Sequence, residues 1–117
     1  MNHSMAVREL ARRVQGMIEA LHVRAPDDRT FSQLGILDGE STVLDYLQHG
    51  ELGCAVHHLL YVVHESNIDV PANDVRTLHR IAEAIGEPNY YSEESLSGRT
   101  LPPGARVFNR LGPNRRY

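Results

Sequence analysis

Apolar residues recur at helical spacing in four stretches of this chain, and turn-forming residues separate them. In residues 5–23, Leu10, Val14, Met17, Ile18 and Leu21 share one stripe, with Arg8, Arg12, Arg13 and Glu19 mostly on the other side. That pattern predicts an amphipathic helix. Ser4 is a candidate cap. Gly16 costs about 1 kcal/mol against alanine in a helix interior, so it reads as a site of close helix packing. Ala25-Pro26-Asp27-Asp28 breaks the helix. Phe31–Leu37 is apolar but short, and reads either as a turn of helix or as an irregular segment plugging the core.

A second helix comes next, capped by Ser41 or Thr42, with Val43, Leu44 and Leu47 as its buried stripe. It stops near Gly50, which supplies the positive φ that helix ends favour. A third helix runs from Glu51 to Glu65, with Glu51 in the first turn, where the macrodipole favours negative charge. Asn67–Pro71 ends it. Asn73 or Asp74 then caps a fourth helix, whose apolar face is Val75, Leu78, Ile81, Ala82 and Ile85, closed by Gly86 and Pro88. Beyond it, Asn89–Ser95 is expected to pack through its tyrosines. No alternating run is long enough to predict a strand. The fold expected is all-α: a small four-helix bundle over residues 1–94, with an irregular N-terminal connection. Residues 95–117, rich in Arg, Pro and Gly, are expected to be an extended or partly disordered tail.

The third helix carries the chemistry. At about 100° per residue, Leu52, Ala55, Val56, Leu59, Leu60 and Val63 fall in one sector and are core. Cys54, His57, His58, Tyr61 and Glu65 fall opposite, with His64 at the boundary. This second face offers aromatic and hydrogen-bonding groups with few long flexible chains, so covering it costs little side-chain entropy. Metal binding fits poorly. Cys54 and His57 are three apart and His57 and His64 seven apart, whereas two imidazoles on one helix share a zinc ion at a spacing of four. Nucleophilic catalysis by Cys54 with His57 lacks an orienting group and an oxyanion site. No catalytic residue, metal or cofactor is therefore expected.

Charge sharpens the reading. The net charge is −3, but Asp27 to Glu94 holds 13 acidic residues against three arginines, while both ends are basic. An acidic body disfavours nucleic-acid backbones and suits a basic protein partner. All 12 basic residues are arginine, which reads as coding bias. At 117 residues the chain has room for one domain. Its single cysteine excludes an intramolecular disulfide, and the first residues lack a signal-peptide pattern, so a cytoplasmic location is expected. No apolar run is long enough to span a membrane.

The residues Leu44, Tyr46, Leu47, then Gly50-Glu51, then Ala55, Leu59 and Glu65, followed by Ile68–Val70 and Val75–Ile85, resemble the MafI-like immunity proteins of bacterial polymorphic toxin and contact-dependent inhibition systems. The resemblance spans residues 38–87, and the Arg-rich tail departs from it. It implies a non-catalytic cytoplasmic helical protein that binds a cognate toxin domain, often a nuclease, and blocks its active site or substrate access. Glu51 and Glu65 would be contacts or helix-end supports. With the opposite face of the third helix, the partner-binding set becomes Asp45, Glu51, His57, His58, Tyr61 and Glu65. The alternative is a helical adaptor or homo-oligomerisation module using the same face.

Overall fold

A computed structural model of the chain describes residues 2–87. Helix α1 (His3–Arg24) leads through a short 3-10 turn at Arg29–Ser32 to α2 (Gly39–Gln48), α3 (Leu52–Glu65) and α4 (Ala72–Ala84). All regular structure among the described residues is helical, as the apolar periodicity predicts. The expected tyrosine packing at 89–95 and the tail at 95–117 lie outside the described residues.

The core is one cluster to which every α-helix contributes. Val7, Leu10, Ala11, Val14, Ile18 and Leu21 come from α1, Val43 from α2, and Ala55, Val56, Leu59, Leu60, Val62 and Val63 from α3. Val75, Leu78, Ile81 and Ala82 come from α4. The sector drawn for α3 therefore widens by one residue: Val62 is buried, while Leu52 at the helix start is only half-buried. α2 packs closely on α3 at Gly39, where a β-carbon would come within 3.0 Å of the Val62 side chain. α1 lies against the other three helices, and Arg13 on α1 is paired with Asp74 on α4 at 2.9 Å. That pair is half-exposed and contributes at most about 1 kcal/mol.

Both glycine stops form as the sequence suggests. Gly50 (φ 72°) and Gly86 (φ 75°) take left-handed conformations. After Gly50, the Glu51 N–H donates back to the Tyr46 carbonyl at 2.8 Å; after Gly86, the Glu87 N–H donates to the Ala82 carbonyl at 3.0 Å. These crossed bonds satisfy carbonyls that a helix end otherwise leaves open.

The helix starts differ from expectation. Asn2, not Ser4, caps α1, accepting from the Met5 N–H at 2.8 Å. α4 begins at Ala72 after Pro71, so Asn73 and Asp74 lie inside its first turn. Gly16 is exposed and its β-position is open, so it mediates no helix contact. Glu51 occupies the capping position of α3, one residue ahead of the helix, without a side-chain cap bond. Nor does Ser41 or Thr42 cap α2, which starts at Gly39 with no side-chain cap of its own. Its missing acceptor comes from another helix: the Gln15 side-chain oxygen on α1 accepts from the Glu40 N–H at 3.0 Å. The Gln15 amide nitrogen donates to the Leu37 carbonyl at 2.8 Å. One side chain thus ties the start of α2 to the middle of α1. Gln15→Ala is expected to lower stability by about 1–2 kcal/mol, since two backbone groups lose their partner. A lower urea midpoint at unchanged slope is the expected reading, and an unmoved midpoint would mean that water replaces the amide.

Candidate functional site

The segment between α1 and α2 runs as a strap along α3, antiparallel to it. At its start Asp28 accepts from the Thr30 N–H at 2.9 Å and from the Asn67 side-chain amide at 3.1 Å. The buried Thr30 hydroxyl oxygen accepts from the Asn67 N–H at 2.9 Å. Phe31 meets the His22 ring edge-on at 4.7 Å. Gln33 donates through its side-chain amide to the Glu65 carbonyl at 2.8 Å. One turn back along α3, the Tyr61 hydroxyl donates to the Leu34 carbonyl at 2.7 Å. Another turn back, His58 Nε2 lies 2.9 Å from the Gly35 carbonyl. A carbonyl only accepts, so that ring carries its proton on Nε2.

Gly35 makes this register possible. Its φ is 80°, and the His58 ring lies where a β-carbon would need space. The turn also sends its two apolar neighbours opposite ways. Ile36 is fully buried, whereas Leu34 is 89% exposed. Burying Ile36 contributes about 1.5–3 kcal/mol, more than any one strap hydrogen bond at about 0.5–1.5 kcal/mol. Ile36 therefore anchors the strap, and the polar bonds set its register. Of the two readings open for Phe31–Leu37, the core-plugging one describes Ile36, and the helical one describes only Arg29–Ser32.

The six residues expected to bind a partner fall into two groups. His58, Tyr61 and Glu65 are half-buried and hold the strap, the last through its main-chain carbonyl. The Tyr61 and His58 rings lie 5.5 Å apart. Burial, and secondarily the charge of Glu65, push the Tyr61 phenol pKa up, which keeps its proton on the bond to Leu34. Asp45, Glu51 and His57 are exposed, as is Cys54. The α3 face thus has a strapped C-terminal part and an unstrapped N-terminal part. On α2, Glu40, Ser41, Leu44, Asp45 and Gln48 line a shallow open depression. Among the described residues, no group of three or more His, Cys, Asp or Glu side chains is arranged to hold a metal ion.

Sequence reasoning missed Gln33, Leu34 and Gly35 as parts of this site, and Asn67 as its far anchor. The only local signal was a glycine between two apolar residues. That marks a possible reversal of side-chain direction without showing what lies on either side.

His49, at the end of α2, responds to this acidic edge. Its Nδ1 lies 2.8 Å from the Asp45 carbonyl and 3.6 Å from the Asp45 carboxylate. The backbone bond first, then the Asp45 charge and more weakly Glu51, raise its pKa against a small opposing effect of burial.

Taken together, the fold and the site define, over the described residues, a small all-α domain in which a strap lies on the C-terminal part of α3 and leaves Asp45 and Glu51 exposed. No protein-family model, curated protein or solved structure matches this chain. No described helix is long and apolar enough to cross a membrane.

Two measurements check the site. Gly35→Ala forces a side chain into a left-handed conformation, which costs about 1–2 kcal/mol, and presses on the His58 ring. Destabilisation of that size or somewhat more is expected in urea, with faster amide exchange at residues 30–37; a neutral substitution would mean the strap can re-register. For His49, the raised folded-state pKa means its contribution to stability is complete below the ordinary value of 6.5 and is lost as pH rises through the folded value. An NMR titration should place its midpoint above 6.5. Asp45→Asn should bring it only part of the way back, because the larger, main-chain cause remains.

Proposed function

We propose that this chain is a non-catalytic, cytoplasmic immunity-type protein. It binds and neutralises a basic bacterial toxin domain, a nuclease in the leading case, by covering its active site or the path of its substrate. The observation that carries the reading is rigid presentation. The strap is fixed to α3 and the α3–α4 turn from Asp28 to Gly35, and it holds Leu34 outward. A single exposed leucine on a surface needs no explanation. A leucine on a backbone already ordered by five neighbouring bonds is different, because the entropy of ordering is lost before any partner arrives.

The charge of the surface supports the same reading. The described residues hold 13 carboxylates against seven arginines, and Asp45 and Glu51 are exposed among them. Such a field speeds encounter with a basic partner and excludes acidic ones. The resemblance of residues 38–87 to MafI-like immunity proteins supplies the toxin as the object of recognition. Asp45, Glu51 and His57 are the exposed contacts under this reading. His58, Tyr61 and Glu65 act mainly by holding the strap.

The test pairs the full chain with the toxin domain encoded beside it. Leu34→Asp should weaken binding by about 30-fold or more if Leu34 is a central anchor, and should remove protection in co-expression. Asp45→Arg with Glu51→Arg should instead slow association, an effect that salt erases. If both variants bind and protect like the parent, this surface is not the inhibitory one. A stable dimer in light scattering that Leu34→Asp dissolves would favour the adaptor or self-association reading.

A further inference from the structure

The strap lies between two helices. On one side it follows α3 from Glu65 back to His58. On the other it follows α1, from the Phe31 contact with His22 to the bond that Gln15 makes with the Leu37 carbonyl. Two of the four large apolar side chains exposed among the described residues stand on it, Leu34 at 89% and Leu37 at 43%. Being three residues apart, their α-carbons lie within about 10–11 Å of each other. Scattered single leucines are ordinary on a surface; two on one ordered crest form a patch.

Carboxylates border this pair. The Gln15 amide nitrogen donates to Glu19 at 3.0 Å as well as to the Leu37 carbonyl at 2.8 Å, so Glu19 sits beside Leu37. Asp38 follows Leu37 in the chain, is exposed, and makes no side-chain cap bond to α2. At the Leu34 end, the Glu65 charge acts on the Tyr61 phenol that holds the Leu34 carbonyl. Among the described residues none of these three forms an ion pair, whereas Glu9 and Asp74 are each matched by an arginine. Arg24 and Arg29 belong to the strap's opposite end, beside Asp28. Asp45 and Glu51 are farther off, and both act on His49 at the other end of α3. Tyr61 is nine residues beyond Leu52 at the helix start, about 13–14 Å along the axis. Screening at physiological salt sets in at about 8 Å. Asp45 and Glu51 therefore steer an approaching partner but add little to contacts made at Leu34.

We propose that the close-contact surface is the junction of α1, the strap and α2. Leu34 and Leu37 enter an apolar recess on the partner, and Glu19, Asp38 and Glu65 pair with arginine or lysine side chains on the rim of that recess. The inference rests on the reading above that the chain binds a basic protein domain, and it names where and by what chemistry. Gln15 has a positioning part, because its one nitrogen keeps an apolar residue and a carboxylate side by side.

Binding kinetics of the full chain with the toxin domain encoded beside it, at about 0.15 M salt, test the inference. Leu37→Ser and Glu19→Arg/Asp38→Arg should each speed dissociation by about tenfold or more. Asp45→Arg/Glu51→Arg should leave dissociation within about twofold of the parent. Leu37 is partly covered, so its variant is read beside its urea midpoint. Glu19 and Asp38 are exposed, so their variant carries the test if Leu37→Ser does not fold. Amide exchange should slow on binding at residues 33–40 and stay unchanged at 48–56. A parent that binds and protects while Glu19→Arg/Asp38→Arg dissociates at the parent's rate overturns the inference and leaves the proposed function standing. So does protection confined to 48–56. A parent that neither binds nor protects overturns both.

Discussion

The bonds from Tyr61 and His58 to the carbonyls of Leu34 and Gly35 fix the register on which the rest of this structure depends. They hold an irregular segment at the one register that sends Ile36 into the core and leaves Leu34 outside. A segment without helical or sheet bonding has carbonyls and amides to satisfy. Here the Tyr61 and His58 side chains of α3 satisfy the carbonyls of Leu34 and Gly35. The polar face of α3 is therefore a structural surface for half of its length.

The same segment carries its constraint onward. Once Ile36 is seated, Leu37 and Glu40 arrive beside Gln15, and the middle of α1 completes the start of α2. α2 in turn comes close enough to α3 that a β-carbon on Gly39 would crowd Val62. Gln15, Gly35 and Gly39 are thus linked steps in one placement, and substitutions among them are expected to be non-additive. The ion pair between Arg13 and Asp74 adds less, because water competes for it.

For recognition, the division of α3 matters more than its composition. The strapped part offers a pre-ordered backbone with Leu34 at its crest. The unstrapped part offers a carboxylate, a thiol and an imidazole beside the point where the described residues end. Under the proposed function, a basic toxin domain would be steered by that carboxylate and would pack on Leu34.

The sequence by itself determined the four helices, most of the core stripe and both glycine stops, because these depend on local periodicity and on φ at single residues. It also located the unusual face of α3 and the acidic excess. The tertiary structure alone decided what that face does. The bonds from Tyr61, His58, Gln33 and Asn67 join residues 23 to 39 positions apart, and no local pattern encodes which carbonyl meets which side chain. Helix starts show the same division. The sequence offered Ser41 and Thr42 as caps within the segment, whereas the acceptor came from Gln15 on another helix. Capping needs only an oxygen at the right place, and packing, not chain order, put one there.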